Sequence, residues 1–270
     1  TPVISSAASD VYKRQSPAST ILLLRQKQDV IEVLMAKRSH KTDFASLYVF
    51  PGGKVDQVDI SFGAESTVCD LNEGQLSNRI NVESGGSSFW IAAVRECFEE
   101  VGVLLTHNSE DKLPNFNKNE KERFSNYRNQ LLRKKISFKQ ICEKESFFIK
   151  STEIVPFAHW ITPEFATRRY DTRFFITRMP ENQDINHDGN ELIENIWISP
   201  QSALQKVQEG KMQMILPTIK CLEQLMEFES IDNLMAHYQS LDAKDIQPNL
   251  PKFVKKDGQW KELLPGDEGY

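Results

Sequence analysis

Apolar residues fall in short strand-like runs at the start of the chain and at mixed spacings later. Ser19 to Leu24 and Val30 to Lys37 are two apolar runs joined through Gln26-Lys27-Gln28-Asp29, which predicts a β-hairpin. Leu47 to Phe50 reads as a third strand, stopped by Pro51-Gly52-Gly53. Asp56 to Ser88 is polar and rich in Ser, Asn and Gly; it predicts a loop, with a short helix near Leu71 to Ile80. Ser87 or Ser88 then caps a helix that runs to Glu100 or Val101 and is closed by Gly102. From Asn117 to Glu145 the chain is charged. Phe124, Leu131, Leu132, Ile136, Phe138 and Ile141 are spaced there for an amphipathic helical excursion in two segments. Ile154 to Ile161 and Tyr170 to Arg178 read as strands, and Asn195 to Ser199 as a shorter one. Pro200 begins a helix to about Gln208. Leu216 to Phe228 and Ile231 to Leu241 read as helices, and Pro248 to Trp260 as extended chain. Strands first, then mixed strands and helices, predict an α+β layout around a mixed sheet.

A chain of 270 residues holds one large domain or two modest ones. Residues 1–15 lack apolar periodicity and read as a non-native or disordered leader. We expect one domain over 16–245, with an insertion at about 60–87 and the helical excursion at about 117–146. Residues 246–270 read as a C-terminal extension whose last turn looks truncated. The net charge of −5 and pI of about 5.7 argue against a nucleic-acid-binding surface, so any phosphate binding has to be local. The four cysteines are scattered without metal or redox spacing, which reads as a reducing intracellular setting. No apolar run approaches a membrane span.

The chemistry is concentrated in Ala92-Ala93-Val94-Arg95-Glu96-Cys97-Phe98-Glu99-Glu100-Val101-Gly102-Val103, with Phe50-Pro51-Gly52-Gly53 upstream. Glu96, Glu99 and Glu100 stand at i, i+3 and i+4, which share one helix face. Crowded carboxylates repel unless a cation offsets them, and hard cations such as Mg²⁺ or Mn²⁺ take oxygen clusters of that kind.

Arg95-Glu96-Cys97, Glu99-Glu100 and Gly102-Val103, with Gly53 upstream, resemble the second half of the Nudix box. The box is split. Gly53 to Val103 is roughly 28 residues longer than the family's pattern, and the loop-forming composition fits a tolerated surface excursion. Counted from Gly53 the acid position falls on Asp59; counted back from Arg95 it falls on Ser87, which cannot serve. A long insertion inside the box resembles the peroxisomal coenzyme A diphosphatase branch, the nucleoside-diphosphate-linked-moiety-X type 19 proteins. Arg38-Ser39 leading into Phe50-Pro51-Gly52-Gly53 resembles that branch. So do Trp160-Ile161-Thr162-Pro163 and Arg168-Arg169-Tyr170-Asp171-Thr172-Arg173-Phe174-Phe175. Asp43 and Leu47 stand where the coenzyme A motif usually carries another Arg and a Gly.

The resemblance implies a Nudix fold and a metal-dependent diphosphatase that splits coenzyme A or acyl-coenzyme A into 3′,5′-ADP and a 4′-phosphopantetheine. It implies that Glu96, Glu99, Glu100 and the Gly53 carbonyl hold Mg²⁺ or Mn²⁺, and that Arg95 orients a glutamate. The general base is left open among Glu96, Glu99, Glu191 and Glu194. Arg38, Arg169 and Arg173 are the candidate substrate-binding cations, since arginine suits bidentate phosphate recognition. Tyr170, Phe174 and Phe175 read as core in preference to base-stacking platforms, and His159 as structural. An intracellular location is expected; the peroxisome is implied by the resemblance alone, since no Ser-Lys-Leu type tripeptide closes the chain, and a mitochondrial location is the alternative. A small-molecule substrate is expected, with no nucleic-acid or membrane partner. Two alternatives remain: a Nudix hydrolase of another nucleoside diphosphate such as ADP-ribose, NADH or a dinucleotide, and a silent Nudix binding module.

Overall fold

The computed structural model describes residues 15–39, 46–65, 68–114, 116–187, 192–256 and 259–270. Strands β1 (Ser16–Lys27) and β2 (Val30–Arg38) form the predicted hairpin, with Gln28 in the left-handed region at the turn (φ 54°). β3 (Tyr48–Val49) lies against β2. The Pro-Gly-Gly stop is brief: Gly52–Lys54 resumes as β4 and pairs antiparallel with the start of β1. β5 (Val155–Ile161), β6 (Tyr170–Arg178) and β7 (Leu192–Ile198) complete the larger strands. The sheet order is β3-β2-β1-β6-β5-β8, where β8 is Pro248–Asn249; β4 joins at β1 and β7 at β2. β1 runs parallel to β6 but antiparallel to β2 and β4, so the sheet is mixed and the α+β expectation holds.

The near-continuous apolar run of β1 has a simple cause. Ile21 and Leu23 face one core and Leu22 and Leu24 the other, and all four are buried. One core is covered by α1 (Gln57–Glu65), α2 (Glu73–Arg79), α3 (Gly86–Val101), α4 (Lys118–Leu132) and α5 (Phe138–Glu145). The other is covered by α6 (Pro200–Gln208), α7 (Leu216–Leu225) and α8 (Ile231–Ser240).

Several expectations are corrected. The stretch read as a loop from Asp56 onward contains α1 as well as the expected α2. In α1 the apolar Val58 and Ile60 point to solvent while Asp59 is buried with Phe62, so hydrophobic spacing conceals the helix. The insertion is no mere surface excursion, because Phe62, Val68, Leu76 and Ile80 pack into the core. Neither Ser87 nor Ser88 is the N-cap of α3. Gly85 holds that position, and the carboxylate of Glu73 on α2 accepts from the N–H groups of Gly86 (2.7 Å) and Ser87 (3.1 Å). Gly102 closes α3 as predicted, in the left-handed conformation (φ 76°) that suits glycine. α7 stops at Leu225, short of Phe228, and β7 starts at Leu192, before Asn195. The final extended stretch folds back on itself: β9 (Lys252–Lys256) and β10 (Gln259–Leu263) make a separate two-stranded sheet.

Candidate active site

The site forms where the last turns of α3 meet β4. Gly53 pairs with Ser19 and faces α3, and a Cβ built on it would lie 2.3 Å from Glu96 Oε1. The missing side chain is what lets the Glu96 carboxylate rest on the backbone of β4. Glu100 is buried beside them, and its Oε2 accepts from the N–H of Gly52, a cleft residue, at 2.9 Å.

Arg95 fixes the arrangement. Its Nε and Nη2 donate to the two oxygens of Asp59 at 3.0 and 2.9 Å, and Nη2 also donates to the Lys54 carbonyl at 2.9 Å. Its Nη1 donates to Glu96 Oε1 at 2.9 Å and to Glu99 Oε2 at 3.4 Å. Burial would depress the Arg95 guanidinium, but Asp59, Glu96 and Glu99 outweigh it and hold the pKa above the usual arginine value. Burial pushes the Glu96 carboxyl up to about 7, with Arg95 opposing and Glu99 reinforcing the rise. Burial also raises Glu99.

One guanidinium thus serves three carboxylates, with Asp56 Oδ2 a further 3.9 Å from Nη2. Among the described residues no three acidic, histidine or cysteine side chains already converge on one point as a finished metal cage. The donor set nevertheless fits a hard divalent ion. It is oxygen-only, carries more negative charge than Arg95 offsets, and contains two carboxylates that burial strains toward protonation.

A cleft of about 690 Å³ opens beside these groups. Its floor is a row across the sheet: Lys54 on β4 pairs with Ala18 on β1, Ala18 with Thr172 on β6, and Thr172 with Trp160 on β5, and all four line the cleft. At the usual strand spacing that row spans roughly 14 Å. Its β4 end carries Gly53, Arg95, Glu96 and Glu99; Arg38, at the end of β2, also lines the cleft.

The other predicted residues are placed elsewhere. Arg173 is one residue out of step with Thr172 and Phe174, so it projects from the opposite face of β6. There its Nη1 donates to Asp171 Oδ1 at 2.6 Å, and Asp171 also meets His159 Nε2 at 2.7 Å. Burial pushes the His159 imidazole down despite Asp171, as suits a structural histidine. Arg169 Nε donates to the Thr162 carbonyl at 3.1 Å, and the residue is not part of the cleft wall. Glu194 faces Tyr48 and Lys37 on the outer strands. Glu191 and Asp43 lie outside the described residues. Phe175 is core, against Trp90, and Phe174 is buried in the other core while also edging the cleft; Tyr170 lines the cleft.

Lys54 was missed as a site cation, although its place directly after Gly52-Gly53 was the available signal. The cleft residues Phe165, Phe253 and Glu262 carried no signal, since only the folding back of β9 and β10 brings the last two there.

Comparison with known proteins identifies the family and the fold. A family model described as the NUDT19 Nudix domain matches residues 84–225. Acyl-coenzyme A diphosphatase NUDT19 of Xenopus laevis is 28% identical over 270 residues, covering 88% of this chain and 71% of that protein. The Homo sapiens protein of the same name is 25% identical over 269 residues, covering 88% and 72%. Among solved structures, a NUDIX hydrolase from Alicyclobacillus acidocaldarius superposes with a TM-score of 0.65 at 20% identity, covering 82% of this chain and 96% of that one.

Proposed function

This chain belongs to the NUDT19 Nudix domain family, and from that premise we propose that it hydrolyses the diphosphate of coenzyme A and acyl-coenzyme A. The products are 3′,5′-ADP and a 4′-phosphopantetheine, acylated where the substrate was. The observation that carries this reading is the presence in one cleft of Glu96 and Glu99, held by Arg95, together with Arg38 and Lys54. The names borne by the Xenopus and human relatives supply the substrate class.

Glu96, Glu99 and Glu100, with the carbonyl of Gly53, would hold Mg²⁺ or Mn²⁺, and Glu100 also steadies β4 by accepting from the Gly52 N–H. A divalent ion bound there neutralises diphosphate charge and makes water more acidic. Arg38 and Lys54 pair with the phosphate oxygens. Water attacks phosphorus, the bridging P–O bond breaks, and the attacking water's proton passes to Glu96 or Glu99. Both carboxylates face the cleft, where either can accept that proton as general base. Arg95 Nη1 donates to both carboxylates and so fixes their orientation beside the cleft. By resemblance to the branch, the enzyme works in peroxisomes.

The test is mass analysis of products from coenzyme A, ADP-ribose and NADH, each with Mg²⁺ or Mn²⁺. Release of 3′,5′-ADP from coenzyme A, lost in Glu99→Gln with folding intact, is the expected result. Preference for ADP-ribose would replace the substrate, and no metal-dependent turnover on any of the three would make the fold a binding module.

A further inference from the structure

The floor of the cleft changes character across the sheet. Its β4 end is charged, while its β5 end is Trp160, followed at the rim by Ile161, Pro163 and the start of α7 at Leu216-Pro217. Beyond β5 the next strand is β8, whose Asn249 pairs with Trp160. The chain leaves β8 directly into Pro251 and Phe253, which complete this side of the cleft. From Lys54 to the edge strand β8 is four strand spacings, roughly 19 Å.

At this far edge two large rings stand in the open. Phe165, from the loop between β5 and β6, is 72% exposed, and Phe253 on β9 is 39% exposed. They meet edge to face with centroids 5.1 Å apart. Two phenylalanines held in water at a cleft mouth forgo the burial that would stabilise them, which marks a binding surface. The surroundings are mostly aliphatic: Ile161, Leu216 and three prolines, with Thr162 and with Glu262, the cross-strand partner of Phe253, as the polar groups at this end. An alkyl chain needs apolar surface and no hydrogen bonds, and the isoleucine, leucine and proline side chains supply it between the two rings. The family model matches residues 84–225, so Phe253 lies after the matched stretch.

Resting on the function proposed above, we infer that Phe165 and Phe253 form the acyl-chain subsite, and that the β9–β10 hairpin sets preference for long thioesters. The diphosphate lies over Glu96 and Lys54, the pantetheine arm crosses the floor of the sheet, and the acyl chain emerges between the two rings. Each methylene fully taken out of water adds about fourfold to affinity, so a chain half covered by the rings still gains strongly with length.

The experiment measures kcat/KM of the full chain for free coenzyme A and for its short-, medium- and long-chain thioesters. Wild type should favour longer chains. Phe253→Ala and Phe165→Ala should each lower the ratio of long-chain thioester to free coenzyme A at least tenfold, and Phe253→Leu should keep most of it. Both rings are exposed, so truncation leaves the core intact. Equal losses on free coenzyme A and on thioesters would assign the rings to the nucleotide and overturn the inference. A ratio unmoved by either truncation would overturn it as well. No turnover of free coenzyme A by wild type would instead reject the proposed function, a result that does not depend on either ring.

Discussion

Arg95 and Asp59, 36 residues apart in the chain, meet in a two-pronged ion pair at 3.0 and 2.9 Å that shuts both side chains away from water. The insertion separates the two halves of the box in sequence, and this pair rejoins them in space. Removing one partner of a buried pair costs about 3–5 kcal/mol when the other charge is left without compensation. Glu96 and Glu99 still face Arg95 Nη1, so Asp59→Ala should lower stability by less than that in urea denaturation, about 1–3 kcal/mol for the partners lost at Nε and Nη2. It should also depress kcat, because an unanchored Arg95 no longer sets Glu96 and Glu99. A variant with wild-type stability and turnover would deny Asp59 that place.

Gly53 separates activity from stability. In Gly53→Ala the new methyl meets the far end of the flexible Glu96 side chain, Oε1 at 2.3 Å and Cδ at 2.5 Å, and Gly53 does not require a positive φ. Glu96 can swing aside cheaply, so thermal unfolding should move little. A displaced carboxylate should cost about 100-fold in kcat, the scale of an ångström-sized misplacement. Parallel melting curves and turnover numbers check both halves of this expectation.

Glu73 makes the insertion part of the catalytic helix. Burial alone would raise its carboxyl, but hydrogen bonds from Ser77, Ser87 and Gly86 prevail and hold it below the ordinary value of 4.5. A carboxylate whose folded pKa is depressed stabilises the fold above its unfolded pKa, and that stabilisation fades as pH falls through the folded value. Glu73→Gln should thus cost about 1 kcal/mol at neutral pH, the typical worth of a cap at a helix N-terminus. The difference from wild type should shrink below about pH 4.5. A gap that stayed constant into acid would show that charge is not what the cap uses.

The strands, the cap at Gly102 and the acidic face of α3 were legible because each rests on local periodicity or local backbone geometry. What escaped has one physical cause: it depends on which face of an element is covered. Period-two alternation on β6 separates Arg173 from Thr172 and Phe174, yet nothing local says that the even-numbered side floors the cleft. In α1 the same blindness inverted the reading, since Asp59 is inside only because Arg95 waits there. Glu73 and Phe253 reach their partners through chain reversals that carry no hydrophobic signal of their own.

Arg38 and Arg173 should part company on mutation. Arg38 lines the same cleft as the glutamates, so Arg38→Ala should raise KM for coenzyme A tenfold or more, since hydrogen bonds to charged groups are worth about 1.5–3 kcal/mol. Arg173 is buried behind the sheet against Asp171 and lies 5.8 Å from the ring of Phe89 near the start of α3. Arg173→Ala leaves Asp171 with His159 alone, whose imidazole burial keeps near neutral. That variant should lose about 2–3 kcal/mol of stability while KM changes less than threefold. Steady-state kinetics and chemical denaturation on the two proteins decide it: a raised KM with unchanged stability in Arg173→Ala would return that arginine to the substrate.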